Sequence, residues 1–207
     1  MYFSVTMYDN LLAHIRKYVP LDETEAETLL SFVRYRQVKK KEHLLKEGQI
    51  CTANYFVLNG CLRLYVVNNK GVEQSIQFAI DHWWLSDYNS FDGQTPSGFH
   101  IQAVENSDIA FLDKTSQEQL LKKLPQLESY FRILFQRAYA ASLMRVQYIF
   151  CFTKEERYHH FNKRFPEFVQ RIPQYMLASF LGFTPEFLSK TRAKDALGKS
   201  QPSTSRE

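Results

Sequence analysis

The sequence predicts an α+β fold: an N-terminal antiparallel β-roll or jelly roll, one long helix, and a C-terminal helix-turn-helix module. Three observations carry that prediction. Residues 35–112 hold a succession of short β-rich runs separated by Gly- and Asn-containing turns. Residues 126–150, after the break at Pro125, read as one long helix. Residues 174–194, QYMLASFLGFTPEFLSKTRAK, read as two short helices meeting through a tight turn at Gly182.

The first helix is expected over 8–19, where Leu11, Leu12, Ile15 and Val19 share one side and Pro20 interrupts. Asp22, Glu23 and Glu25 open a second helix through residue 31, because an acidic first turn complements the positive helix end. Its buried positions are Leu29, Leu30 and Phe32. From residue 35 the period becomes alternating. Strands are expected over 35–38, 43–46, 55–58, 61–67, 72–80, 99–104 and 109–112. The turns fall at Gly48, Asn59-Gly60, Asn68 to Gly71, Asp92-Gly93 and Asn106 to Asp108. No helix-length crossover separates these runs, which excludes a parallel α/β sheet.

Helix returns over 116–124 before Pro125. In the long helix, Leu127, Phe131, Leu134, Ala138 and Ala141 recur at alternating steps of four and three, extending to Tyr148. That is the a/d spacing of a coiled-coil seam, and it marks these residues as a dimer interface. Ala138, Ala140, Ala141 and Ser142 allow close helix approach. Thr153 and Glu156 form a capping box that opens a new helix to about residue 165, where Pro166 ends it. The domain boundary is therefore expected at 150–153.

In the last pair, small Ala178 admits the neighbouring helix and Gly182 supplies a positive φ. Leu177, Leu181, Phe183 and Leu188 supply the shared core. Thr184-Pro185 restarts the helix with a hydroxyl cap and a first-turn proline. The remaining positions, Thr184, Glu186, Phe187, Ser189, Lys190, Arg192 and Lys194, combine groups that read base edges with groups that neutralise phosphates. The alternative is an ordinary helical hairpin.

Charge favours the first reading. The net charge is +4, and residues 151–194 hold all of it, with eight Lys/Arg against four Glu. A basic module on a near-neutral remainder fits a polyanionic partner. The three cysteines form no CxxC pair, so buried free thiols in a reducing compartment are expected. No run approaches a membrane span and the N-terminus carries no export signal, which points to the cytoplasm. His43, His82 and His100 are dispersed through the strands, and His159-His160 lies outside them. No metal-ligand set, catalytic residue or nucleophilic arrangement emerges.

The order of helices, β-roll, long helix and basic helix-turn-helix resembles the Crp/Fnr superfamily of bacterial transcription regulators. Residues 177–190, LASFLGFTPEFLSK, are similar to that family's recognition region, and Tyr55 to Gly60 with the following strand resemble its first β-roll hairpin. The resemblance implies a cyclic-nucleotide-binding-like sensor domain and a C-terminal winged helix-turn-helix. It also implies a homodimer on a pseudo-palindromic operator, and RNA polymerase as a partner. The domains then divide as 1–125 (sensor β-roll with N-terminal helices), 126–150 (dimerisation helix), 151–197 (DNA-binding domain) and 198–207 (disordered tail). The family's base-reading Glu and Arg map onto Glu186 and Lys190, four residues apart on one face. Lys190 lacks the two-pronged geometry of Arg, and Pro185 stands where many members have another Arg.

The larger departure is in the sensor. The family's nucleotide binders clamp ribose and phosphate with Gly-Glu and Arg-Ser-Ala. Ser86-Asp87 and Ser97-Gly98-Phe99 occupy those places here, so the cationic half of the clamp is absent. Asp87 repels a phosphate. Cyclic AMP and cyclic GMP are therefore disfavoured, the iron–sulfur cysteine cluster of the oxygen-sensing members is missing, and no cofactor is identified. The expected effector pocket is framed by Trp84, Ser86, Asp87, Tyr88, Ser97 and Ala141, with its ligand unassigned. The competing functions are a ligand-binding β-roll without DNA binding, and a cupin-like metal enzyme.

Overall fold

The computed structural model describes residues 5–199, and the chain divides into two compact units, Met1–Leu143 and Met144–Glu207. The expected boundary at 150–153 is not where the division falls. It lies inside the long helix, which is continuous across it.

The N-terminal unit opens with α1 (Val5–Arg16) and α2 (Glu23–Phe32). Asp22 caps α2 by accepting from Glu25 N while the Glu25 side chain accepts from Asp22 N, so two orphan N–H groups are satisfied at once. Eight strands follow: β1 (Arg34–Val38), β2 (His43–Leu45), β3 (Ala53–Asn59), β4 (Leu62–Val67), β5 (Glu73–Ala79), β6 (Trp84–Leu85), β7 (His100–Ala103) and β8 (Ser107–Asp113). They form two antiparallel four-stranded sheets, ordered β1-β8-β3-β6 and β2-β7-β4-β5. All seven expected strands are present. β6 is too short to show a period, and the helix after it, α3 (Tyr88–Gly93), has no apolar repeat in its sequence YNSFDG. The hairpin expected around Gly60 is instead a crossing from β3 in one sheet to β4 in the other, and Gly60 makes it possible: at φ 119° an added Cβ would lie 2.3 Å from Ser107 Oγ.

The unit holds two apolar cores. Between the sheets lie Val57, Leu62, Leu85, Ile101 and Ile109, each essentially without solvent exposure, with Tyr55 and Phe91. The barrel interior is therefore filled by side chains. On the outer side of the first sheet, α1, α2, α4 (Lys114–Lys123) and the start of α5 (Gln126–Cys151) bury Leu11, Leu29, Phe56, Leu120, Leu127 and Tyr130. Alternation along β3 serves both cores at once, Phe56 facing the helices and Val57 the barrel.

The C-terminal unit holds the end of α5 with α6 (Lys154–Arg164), α7 (Pro166–Arg171), α8 (Gln174–Leu181) and α9 (Pro185–Lys199). Thr153 caps α6 in the expected box with Glu156. Its described residues contain no strand, so the wing implied by the resemblance is not formed there. Helix α6 ends at Arg164, just before Pro166 as expected, and Pro166 also opens α7, because proline suits the first helical turn. Helix α9 reaches two residues into the segment expected as a disordered tail, and residues 200–207 lie outside the described residues. Cys51 and Cys61 are buried free thiols, as expected, whereas Cys151 is exposed at the end of α5.

Candidate functional site

Helices α8 and α9 are joined by Gly182, Phe183 and Thr184. Gly182 takes φ 75°, and the turn closes with Phe183 N donating to Ala178 O at 2.8 Å and Gly182 N donating to Ser179 O at 3.2 Å. This pair of bonds is a Schellman motif. Thr184 Oγ1 then accepts from Phe187 N, capping α9. Leu177, Ala178 and Leu188 are fully buried at the crossing, so close approach of the two helices depends on the small side chain at 178.

At 100° per residue, Leu188 and Thr191 fix the inward side of α9. Glu186, Ser189, Lys190 and Lys194 then share the outward side, and all four are exposed. Hydrogen bonds from its own N–H and from Thr184, with Lys190 nearby, hold the Glu186 carboxyl below the usual carboxylate range. An ionised acceptor thus stands one turn from an ammonium donor. Two expected surface readers belong elsewhere. Phe187 is half-buried, its ring edge-on to Phe183 at 5.2 Å, because its position turns it toward the crossing. Arg192, though exposed, projects from the opposite flank, close enough to Tyr158 to influence that phenol's ionisation. Lys154, which no sequence motif marked, places its ammonium 5.5 Å from the Phe187 ring centroid.

The expected effector residues are not brought to one pocket. Asp87 caps α3, accepting from Asn89 N at 3.2 Å and Ser90 N at 3.3 Å, and the Ser97 hydroxyl donates to its second oxygen at 2.6 Å. Ser90 Oγ accepts from Cys51 N and donates to Thr95 O, while Ser86 Oγ donates to Ala53 O. Asp87, Ser86, Ser90 and Ser97 are all buried in this network. Trp84 faces the helical core, donating from Nε1 to Tyr130 OH at 2.7 Å. Tyr88 donates to Asn54 and meets Phe135 edge-on at 4.7 Å. Ala141 is exposed on α5 and joins none of them. A small apolar cavity lies in the helical core instead, lined by Leu11, Ile15, Leu29, Trp84, Tyr130 and Phe131.

Tyr130 OH accepts from Trp84, so its one proton goes to His14 Nδ1, 2.8 Å away. Burial, with the positive charges of Lys17 and Arg137 and with His82, lowers the His14 pKa to about 4, consistent with a neutral accepting ring.

The residues of the expected seam on α5 differ in their surroundings. Leu127 and Phe131 are spent in the core of their own chain, and Leu134 packs against it. Further along the same row, Arg145 and Tyr148 make contacts within the C-terminal unit, Tyr148 OH lying 2.8 Å from His160 Nε2. An exposed apolar row lies on a neighbouring face, at Phe135, Tyr139, Leu143, Val146 and Phe150, the last 82% exposed. Ala138 and Ala141 are exposed; Ala138 lies on the flank of that row, and Ala141 on the side of the helix turned away from it. Among the described residues no three His, Cys, Asp or Glu side chains converge as a metal set, and no helix is long and apolar enough to cross a membrane.

Residues 35–124 match the family model of the cyclic nucleotide-binding domain. No match to the sequence was found among curated proteins. Solved structures share its architecture. FixK2 from Bradyrhizobium japonicum is similar with a TM-score of 0.68 at 14% identity, over 84% of this chain and 89% of that one. The c-di-GMP responsive global regulator CLP of Xanthomonas campestris gives 0.70 at 12% identity, over 89% and 96%. A CooA mutant from Carboxydothermus hydrogenoformans gives 0.66 at 14% identity, over 93% and 88%. Segment 35–124 is thus similar to a cyclic nucleotide-binding domain. The chain as a whole has the fold of these regulator structures.

Proposed function

We propose that this protein is a sequence-specific, DNA-binding transcription regulator rather than an enzyme, acting as a homodimer on a pseudo-palindromic operator. The observation that carries the reading is the outward face of α9, where Glu186, Ser189, Lys190 and Lys194 stand exposed on a helix anchored by Leu188. A carboxylate accepts from cytosine N4, an ammonium donates to guanine O6 or N7, and the flanking lysines neutralise phosphates. Residues 151–197 form the DNA-binding domain, and RNA polymerase is the partner expected of such a regulator. The dimer forms through the exposed row of α5, in place of the row at Leu127, Phe131, Leu134, Ala138 and Ala141. Regulator structures of the same fold support this reading.

The β-roll of residues 1–125 is not controlled by cyclic AMP. The anion position at the start of α3 already holds the Asp87 carboxylate, supplied with donors by two backbone N–H groups and Ser97. A cyclic phosphate arriving there meets a like charge in a site whose donors are taken.

Selection of duplexes from a random library by the purified protein tests the proposal. The expected product is a sequence with two inverted half-sites about one DNA turn apart, bound with an affinity that falls steeply as salt rises. Failure to enrich any sequence at moderate salt defeats the reading.

A further inference from the structure

An α-helix leaves its last four carbonyls without intrahelical donors. In α8 these belong to Ala178, Ser179, Phe180 and Leu181. The Schellman turn satisfies the first two, through Phe183 N and Gly182 N. Arg145 Nη2, from the last part of α5, donates to Phe180 O at 2.8 Å. Arg157 Nη1, from α6, donates to Leu181 O at 3.4 Å. Two residues from two other helices thus complete the accounting at the carbonyls immediately before the turn into α9.

Both guanidinium groups are also fixed sideways. Arg145 Cζ lies 4.2 Å from the Phe180 ring centroid, and Arg157 Cζ lies 5.2 Å from that of Phe183, the middle residue of the turn. Burial lowers the Arg145 pKa, so its charge is partly withdrawn from water and compensated at the negative end of α8. A planar fork that stacks and donates at once holds a fixed orientation, which an ammonium does not. Neither arginine is on the outward face of α9.

Resting on the DNA-reading proposal above, we infer that Arg145 and Arg157 are positioning residues for base readout. They clamp the C-terminal end of α8 and thereby set the pitch at which α9 leaves the turn. Arg145 makes the long helix a party to that setting: rotation of its last turns withdraws the donor from Phe180 O. Readout tolerates little misplacement, because base-edge bonds need N···O distances near 2.9 Å.

The test uses full-length protein and the duplex that the wild type enriches from a random library, with a scrambled duplex as the non-specific control. Arg145→Met keeps the apolar stem and removes the donors. It is expected to weaken binding to the selected duplex about tenfold, the loss of one charge-assisted bond. Binding to the scrambled duplex and the salt slope stay as in the wild type. Amide exchange is expected to rise at the turn and in the first turn of α9. Arg157→Met is expected to act in the same direction. Arg145→Lys, which keeps the charge, is expected to show a smaller loss of discrimination; it is read in place of Arg145→Met should that variant not fold. Unchanged discrimination between the two duplexes in a folded variant overturns the inference and leaves DNA reading intact. A parallel loss on both duplexes with a shallower salt slope also overturns it, assigning Arg145 to a phosphate. A wild type that enriches no duplex removes the proposed function and this inference together.

Discussion

The Ser97 hydroxyl donates to Asp87 Oδ2 at 2.6 Å, joining the start of α3 to the segment before β7. Both residues are buried, and the other Asp87 oxygen is held by the first N–H groups of α3. Asp87→Ala removes the acceptor shared by the Asn89 and Ser90 N–H groups and the Ser97 hydroxyl. A loss of about 2–4 kcal/mol in unfolding free energy is expected, measured by urea denaturation. Calorimetric titration of the wild type with cyclic AMP is expected to show no binding. Saturable binding at micromolar nucleotide would show that Asp87 does not occupy the site.

On α9, Lys190→Ala is expected to weaken binding to the selected operator by about 1–3 kcal/mol and to relax base preference at one position of each half-site. Mobility shifts against single-base operator variants measure both. Thr184→Ala removes only the cap and is expected to cost about 1 kcal/mol of stability. A Lys190 variant that loses affinity equally on every sequence would make that residue a phosphate contact.

Helix α5 offers a decision between two rows. Val146→Glu, in the exposed apolar row, is expected to convert the proposed dimer to monomer in sedimentation equilibrium at micromolar concentration. Ala141→Glu, on the other side of the helix, is expected to leave the dimer intact. Leu127→Ala acts on the fold instead, with about 2–5 kcal/mol lost from the core of the single chain. Dissociation by the Ala141 variant but not the Val146 variant would restore the row first read from the sequence.

His14 makes stability depend on pH. Its pKa of about 4 in the folded chain lies below the unfolded value of 6.5, so the folded state binds fewer protons between them. The contribution of the neutral ring is complete above pH 6.5 and is lost as pH falls from 6.5 toward 4. With allowance for the ring's partial exposure, this amounts to about 2 kcal/mol. Urea midpoints at pH 7 and pH 4.5 measure it. In His14→Gln the difference between the two is expected to shrink, and an undiminished difference would place the pH dependence elsewhere.

Much of the architecture is legible in the sequence. Strand positions followed from alternation and from the glycines at 48, 60 and 71, all of which take positive φ. The caps at Asp22 and Thr153 and the turn at Gly182 followed from short-range chemistry, where the sequence neighbours are the physical partners. The elements that escaped, β6, α3 and α7, are two to six residues long and show no period. Their existence is set by what they dock against.

What the sequence determined alone is the set of elements, the basic C-terminal module and the residue types on α9, because each depends on local spacing or on composition. The tertiary structure decided which of those residues share a surface. It turned Phe187 inward, put Arg192 on the far flank, and spent Leu127 and Phe131 in their own core. It closed Asp87 onto Ser97 across ten residues and brought Arg145 to a carbonyl 35 residues away. A helical or strand period fixes a side chain's direction around its own axis. Which row becomes core, contact or free surface depends on the elements that fold against it.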